Sequence, residues 1–134
     1  MKAITISQPY ASLIASGEKW VENRTWATRY RGLLAIHAGK GTQYLSREEL
    51  AKYPTGCIVA VARLTACVRL CDELGDTPGA PSGCARSFKE ILFHSHSQGP
   101  FCWVLEDVVK IDVPIPCVGK QGLWESPVSL GLKG

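Results

Sequence analysis

No two of the six cysteines of this chain stand as C-x-x-C, and no two pairs fall at zinc-ribbon or zinc-finger spacing. That excludes the common structural zinc sites and the dithiol redox motif. Cys57, Cys67, Cys102 and Cys117 sit in or beside apolar, strand-like runs, so buried reduced thiols are expected rather than a disulfide scaffold. Long apolar runs are missing too: none approaches the ~20 residues of a membrane span. The stretch Met1–Ile6 has no signal-peptide core. A cytoplasmic protein with no membrane partner is therefore expected. Charge of one sign is scarce, with a net +3 over 134 residues, so the whole surface is not an attractor for nucleic acid. Any phosphate attraction must come from local clustering, and Lys19, Arg24, Arg29, Arg31 and Lys40 do cluster, against Glu18 and Glu22. Histidine is rare, and none of the three has carboxylates or thiols at ligand spacing, so neither metal nor cofactor is expected. Gly39-Lys40-Gly41 could form an anion-binding nest, but it is no phosphate-binding loop.

What is present is an ordinary globular composition, 46% apolar and 20% charged, long enough for one domain with a core of its own. There is no internal repeat, low-complexity tract or linker. Residues 2–6 alternate as a half-buried strand does. Pro9 suits the first turn of a helix over about Tyr10–Ser16, and Gly17 suits its left-handed end. Strands are expected at about 20–26, at 32–38 (apolar on both faces, hence central), at 57–70 and from Phe101 to Ile111, interrupted at Glu106-Asp107. A second helix is expected at Ser46–Lys52, opened by the capping box Ser46-Arg47-Glu48-Glu49. Another is expected around Ser87–Phe93, after a loop at 72–85. Many strands, few helices and punctuating glycines predict an α+β, mostly β chain: a partly closed β-barrel of five or six strands with helices capping one mouth.

The segment Gly17-Glu18-Lys19-Trp20-Val21-Glu22-Asn23-Arg24 carries the chemistry. If it is extended from Trp20, then Trp20, Glu22, Arg24 and Trp26 share one face, and Val21, Asn23, Thr25 and Ala27 share the other. Two indoles beside an acid–base pair suit a small, planar, polar ligand. Packing explains tryptophans in a small barrel equally well, an ion pair explains Glu22 with Arg24, and solvation explains Lys19. His37, mid-strand on an apolar face, reads as a hydrogen-bonded core residue.

Gly17-x-Lys19-x-x-Glu22-x-Arg24 resembles the G-x-K-x-x-E-x-R motif of the ASCH family, the activating-signal-cointegrator homology domains. Its flanks fit as well: Ser7–Ile14, Thr25-Trp26, Tyr30-Arg31-Gly32, Tyr53-Pro54-Thr55-Gly56 and Gly122-Leu123-Trp124. The resemblance spans nearly the whole chain. It implies a single stand-alone domain over 1–134, closer to the eukaryotic coactivator type, with a PUA-like fold and a cleft suited to RNA or a nucleotide.

On this basis the expected ligand is single-stranded RNA or a modified nucleoside. The expected contacts are Gln8, Tyr10, Lys19, Trp20, Glu22, Arg24, Trp26, Arg31, Lys40, Lys120 and Gln121. Basic groups would hold phosphate while rings stack a base. If the domain is an enzyme, Lys19 and Glu22 are the candidate catalytic groups of an N4-acylcytidine amidohydrolase-like or ribonuclease reaction. The deacylating branch carries threonine where Glu22 stands, and no later catalytic glutamate is placed here with assurance; Glu106 and Asp107 are the candidates. A protein-interaction module of transcriptional coactivation is the third reading.

Overall fold

The computed structural model describes residues 1–127. They form six strands and few helices. In chain order these are β1 (Lys2–Ile6), α1 (Tyr10–Ser16), β2 (Val21–Arg24), β3 (Gly32–Ala38), β4 (Cys57–Arg69), a 3-10 turn at Asp72–Asp76, α2 (Phe88–Phe93), β5 (Phe101–Pro116) and β6 (Leu123–Glu125). The strands hydrogen-bond in one sheet in the order β2-β5-β4-β3-β1-β6. The chain folds as two compact units. Met1–Glu18, Leu33–Ala62 and the described residues from Asp107 onward make the first; Lys19–Gly32 and Arg63–Glu106 make the second.

In the first unit β1 runs parallel to β3, with Ala3 opposite Ala35, and antiparallel to β6, with Ala3 opposite Trp124. Leu34 to Ala38 are all buried, as a strand apolar on both faces requires when neighbours flank it. Ala3, Ala35, Ile58 and Trp124 form its core, with Ile111 and Ile115 packed against them. Helix α1 buries Ala11 and Ile14, three apart on one face. It ends where Gly17, at φ 89°, donates its N–H to the Ile14 carbonyl.

His37 is the core histidine that its apolar strand predicts. The Cys117 carbonyl can only accept, so Nε2 donates to it, at 2.6 Å. Nδ1 lies 3.2 Å from Thr5 Oγ1, which also receives the Trp124 indole N–H. A Cβ added at Gly119 would stand 2.6 Å from His37 Cε1, so only glycine lets this loop lie so close to the ring.

In the second unit β2 pairs antiparallel with β5, Glu22 opposite Trp103. Its core holds Val21, Ala66, Leu74, Ile91, Cys102 and Val104. Ser87 opens α2 with a complete capping box: its hydroxyl takes the Glu90 N–H while the Glu90 carboxylate takes the Ser87 N–H. Burial pushes the Cys84 and Cys102 thiols up, as it does Cys57 in the first unit.

Three local expectations are corrected. The Ser46–Glu49 capping box forms, with Ser46 N–H on Glu49 Oε1 at 3.0 Å, yet residues 46–52 stay a series of turns. A cap satisfies the first donors but cannot propagate a helix that Tyr53-Pro54 follows within two turns. The loop 72–85 contains the 3-10 turn, which buries Leu74. And β5 is not broken at Glu106-Asp107: one left-handed residue, Asp107 at φ 51°, absorbs the irregularity within a 16-residue strand.

Candidate nucleotide-binding site

The motif residues of the second unit converge. Lys19 follows the helix-ending turn and Glu22 lies three residues on, so both reach one point at the start of β2. Lys19 Nζ donates to Glu22 Oε1 at 2.8 Å. Glu22 and Arg24 share a strand face, and Arg24 Nη2 meets the other carboxylate oxygen at 2.9 Å. Two cations thus share one carboxylate, one on each oxygen. Lys19 is only 4% exposed and Glu22 9%, whereas the Arg24 side chain keeps 23% of its surface in water. A solvated lysine is therefore excluded. Pairing and hydrogen bonding make burial of these charges tolerable.

Trp20 carries two partners that sequence reasoning missed. The Arg86 guanidinium carbon lies 4.3 Å from its ring centroid, and the His94 imidazole stacks on it at 4.2 Å and 28°. His96 lies 5.6 Å from His94, ring to ring. Desolvation first, and then the positive charge of His96, Arg86 and Lys19, hold the His94 pKa below its ordinary 6.5. Trp26 is the more open indole, 37% exposed, and sets its edge against the buried Trp103 at 4.8 Å. Arg31 is exposed and turns back on its own loop, donating to the Thr28 and Tyr30 carbonyls.

Asn23, inside the motif, organises the neighbouring loop. Its amide donates to the His96 carbonyl at 2.8 Å and accepts the Gln98 and Gly99 N–H groups, each at 2.8 Å. Asn23 was legible as a polar residue on the apolar face of β2. Arg86 and His94 were not, because they arrive on the residues just before and just after α2. Glu106, a candidate hydrolytic carboxylate, accepts the Ala85 N–H at 3.1 Å and so tethers a loop.

The remaining expected contacts belong to the first unit. Gln8 is fully buried and its amide is engaged: Nε2 donates to Ser12 Oγ and to the Pro54 carbonyl, and Oε1 accepts the Ser12 N–H. Tyr10 sets its ring edge-on to Tyr44 at 5.4 Å. Lys40 lays its aliphatic stem over Gly56, whose φ of 67° a side chain would not favour. Lys120 lines a cavity of about 470 Å³ with Trp124, Cys117 and Val118, and its carbonyl accepts the Thr5 hydroxyl. Gln121 beside it is exposed. Among the described residues no group of three or more His, Cys, Asp or Glu could hold a metal ion, and no helix is long and apolar enough to cross a membrane.

The sequence profile of the ASCH domain matches residues 4–114, which include the whole Lys19–Glu22–Arg24 constellation. The chain belongs to the ASCH domain family. Among curated relatives, activating signal cointegrator 1 of Homo sapiens is 28% identical across 97% of this chain, and that of Mus musculus 27% across 97%. The chain spans 23% of the length of each. The crystal structure of an ASCH protein from Zymomonas mobilis has a TM-score of 0.51 at 20% identity, covering 86% of this chain and 72% of that one. A point mutant of it gives 0.50 at 19%, covering 86% and 74%. At such identity the likeness establishes the fold: mostly β, with six strands in one sheet and few helices. The ASCH motif is thus an ion-pair chain with one end open to water.

Proposed function

We propose that this ASCH domain binds single-stranded RNA or a nucleotide through Arg24, with Lys19 and Glu22 as the buried anchor that aims it. The supporting observation is the Arg24 guanidinium: oriented by Glu22 at 2.9 Å yet still partly in water. A planar guanidinium held in one orientation suits bidentate phosphate recognition better than a free side chain, because less freedom is lost on binding. Arg86 on the Trp20 ring adds a second cation beside an aromatic surface. Trp26 offers exposed indole.

The hydrolase reading ranks behind it. A nucleophilic or proton-shuttling Lys19 would first have to leave Glu22 and reach solvent from 4% exposure. Incubation with N4-acetylcytidine followed by chromatography tests that reading, and unchanged substrate is the expected result.

The binding reading is tested by titrating a labelled single-stranded RNA at several salt concentrations. Affinity should fall as salt rises, with a log–log slope of about −0.7 for each phosphate contacted. Arg24→Ala should weaken binding and flatten that slope by about one such unit. No binding by the wild-type domain at low salt sinks the proposal.

A further inference from the structure

We propose that the Trp20 ring is the base-stacking seat of this site and that His94 is its resident placeholder, an imidazole that an incoming nucleobase displaces. The inference rests on the nucleotide-binding reading above and adds the class of ligand: a planar base carrying a phosphate.

Three observations support it independently of the motif. First, the imidazole already lies on the indole as a base would, at 4.2 Å and 28°. Second, Nε2 of His94 is buried and has no hydrogen-bond partner among the described residues. A histidine kept for structure ordinarily has its ring nitrogens satisfied, as His37 has. Stacking on Trp20 therefore holds this ring, without a bond from Nε2. Third, the seat has cations around it. Arg86 lies 4.3 Å from the same indole, and Lys19 and His96 act on His94 electrostatically. Those neighbours disfavour a charged imidazole and favour a neutral heterocycle with an anion attached.

The backbone permits the exchange. Asn23 pins the turn at His96, Gln98 and Gly99, and the Ser97 N–H bonds the His94 carbonyl at 2.9 Å. The main chain is thus fixed, so the exchange asks only the His94 side chain to leave the indole. The vacated ring would take the base, and Arg86, which pairs with Glu90 at 3.4 Å, would exchange that carboxylate for the phosphate.

The experiment measures binding of adenosine 5′-monophosphate, cytidine 5′-monophosphate and ribose 5-phosphate to wild type, His94→Ala and Trp20→Phe by calorimetry. Circular dichroism verifies the fold of each variant. His94→Ala should bind both nucleotides about two- to ten-fold more tightly, because the ring contact no longer has to be broken. It should leave ribose 5-phosphate unchanged. Trp20→Phe, which keeps a smaller ring, should bind the nucleotides more weakly than wild type. Wild type binding nucleotides while His94→Ala binds them equally or more weakly overturns the placeholder alone and leaves the binding reading standing. Equal affinity for ribose 5-phosphate and the nucleotides overturns the stacking seat. If neither wild type nor His94→Ala binds any nucleotide or RNA at low salt, the binding reading falls and this inference with it.

Discussion

Replacing Glu22 by glutamine is the sharpest perturbation of the motif, because it changes charge and almost nothing of shape. In the wild type the carboxylate accepts Lys19 on one oxygen at 2.8 Å and Arg24 on the other at 2.9 Å. Its side chain is 11% exposed, Lys19's 5% and Arg24's 23%. Breaking a buried ion pair by removing one partner costs roughly 3–5 kcal/mol, mostly because a charge is left buried without its counter-ion. Here two cations lose it, but Arg24 can turn further into water, so the low end, about 3 kcal/mol, is the expected figure. A domain of this size is stable by about 5–15 kcal/mol in total. At roughly 3–5 °C per kcal/mol, Glu22→Gln should lower the melting temperature by about 10–15 °C. Thermal unfolding followed by circular dichroism at neutral pH measures it. The double replacement Lys19→Met with Glu22→Leu should recover part of the loss, since it removes the two most buried charges together and leaves only Arg24, which reaches water. A melting temperature within about 2 °C of wild type for Glu22→Gln would refute the ion-pair chain as a buried anchor.

Two further outcomes are expected. Gly119→Ala drives a methyl to 2.6 Å from His37 Cε1 and 2.7 Å from Thr5 Oγ1, so it should destabilise by about 1–3 kcal/mol in chemical denaturation, while Gly79→Ala, whose added carbon meets nothing but whose φ is 83°, reports backbone strain alone. The pKa of His94 is held below 6.5 by burial and by His96, Arg86 and Lys19, so the unfolded chain takes that proton first. The stabilisation is complete above pH 6.5 and is lost as pH falls through the lower folded value; His94→Gln should flatten this part of the stability–pH curve, and an unchanged curve would count against the assignment.

Strands β1 to β5, helix α1 and its glycine end were legible from periodicity and turn chemistry alone: α1 runs Tyr10–Ser16, and β3 fills the both-faces-apolar stretch at 32–38, whereas the three residues of β6 are too few to show a period and were not expected as a strand. That Glu22 and Arg24 share a face was equally legible, since a strand's period of two is a local property, but the residues alone left Lys19 open between solvation and a role at the site. Local signals misled only where tertiary context outweighed them. The Ser46 capping box closed without a helix behind it, and β5 passed through Glu106-Asp107 on one left-handed residue. What sequence order cannot encode is who arrives from elsewhere. Arg86 and His94 meet Trp20 because the segments on either side of α2 pack in the same unit as β2, and Gln8 became a buried structural amide because Pro54, 46 residues away, offers it a carbonyl beside its local bonds to Ser12. Depth is likewise a tertiary quantity. The motif names three charged side chains, but the surrounding protein decides that Lys19 and Glu22 are withdrawn from water and that Arg24 is left at its edge.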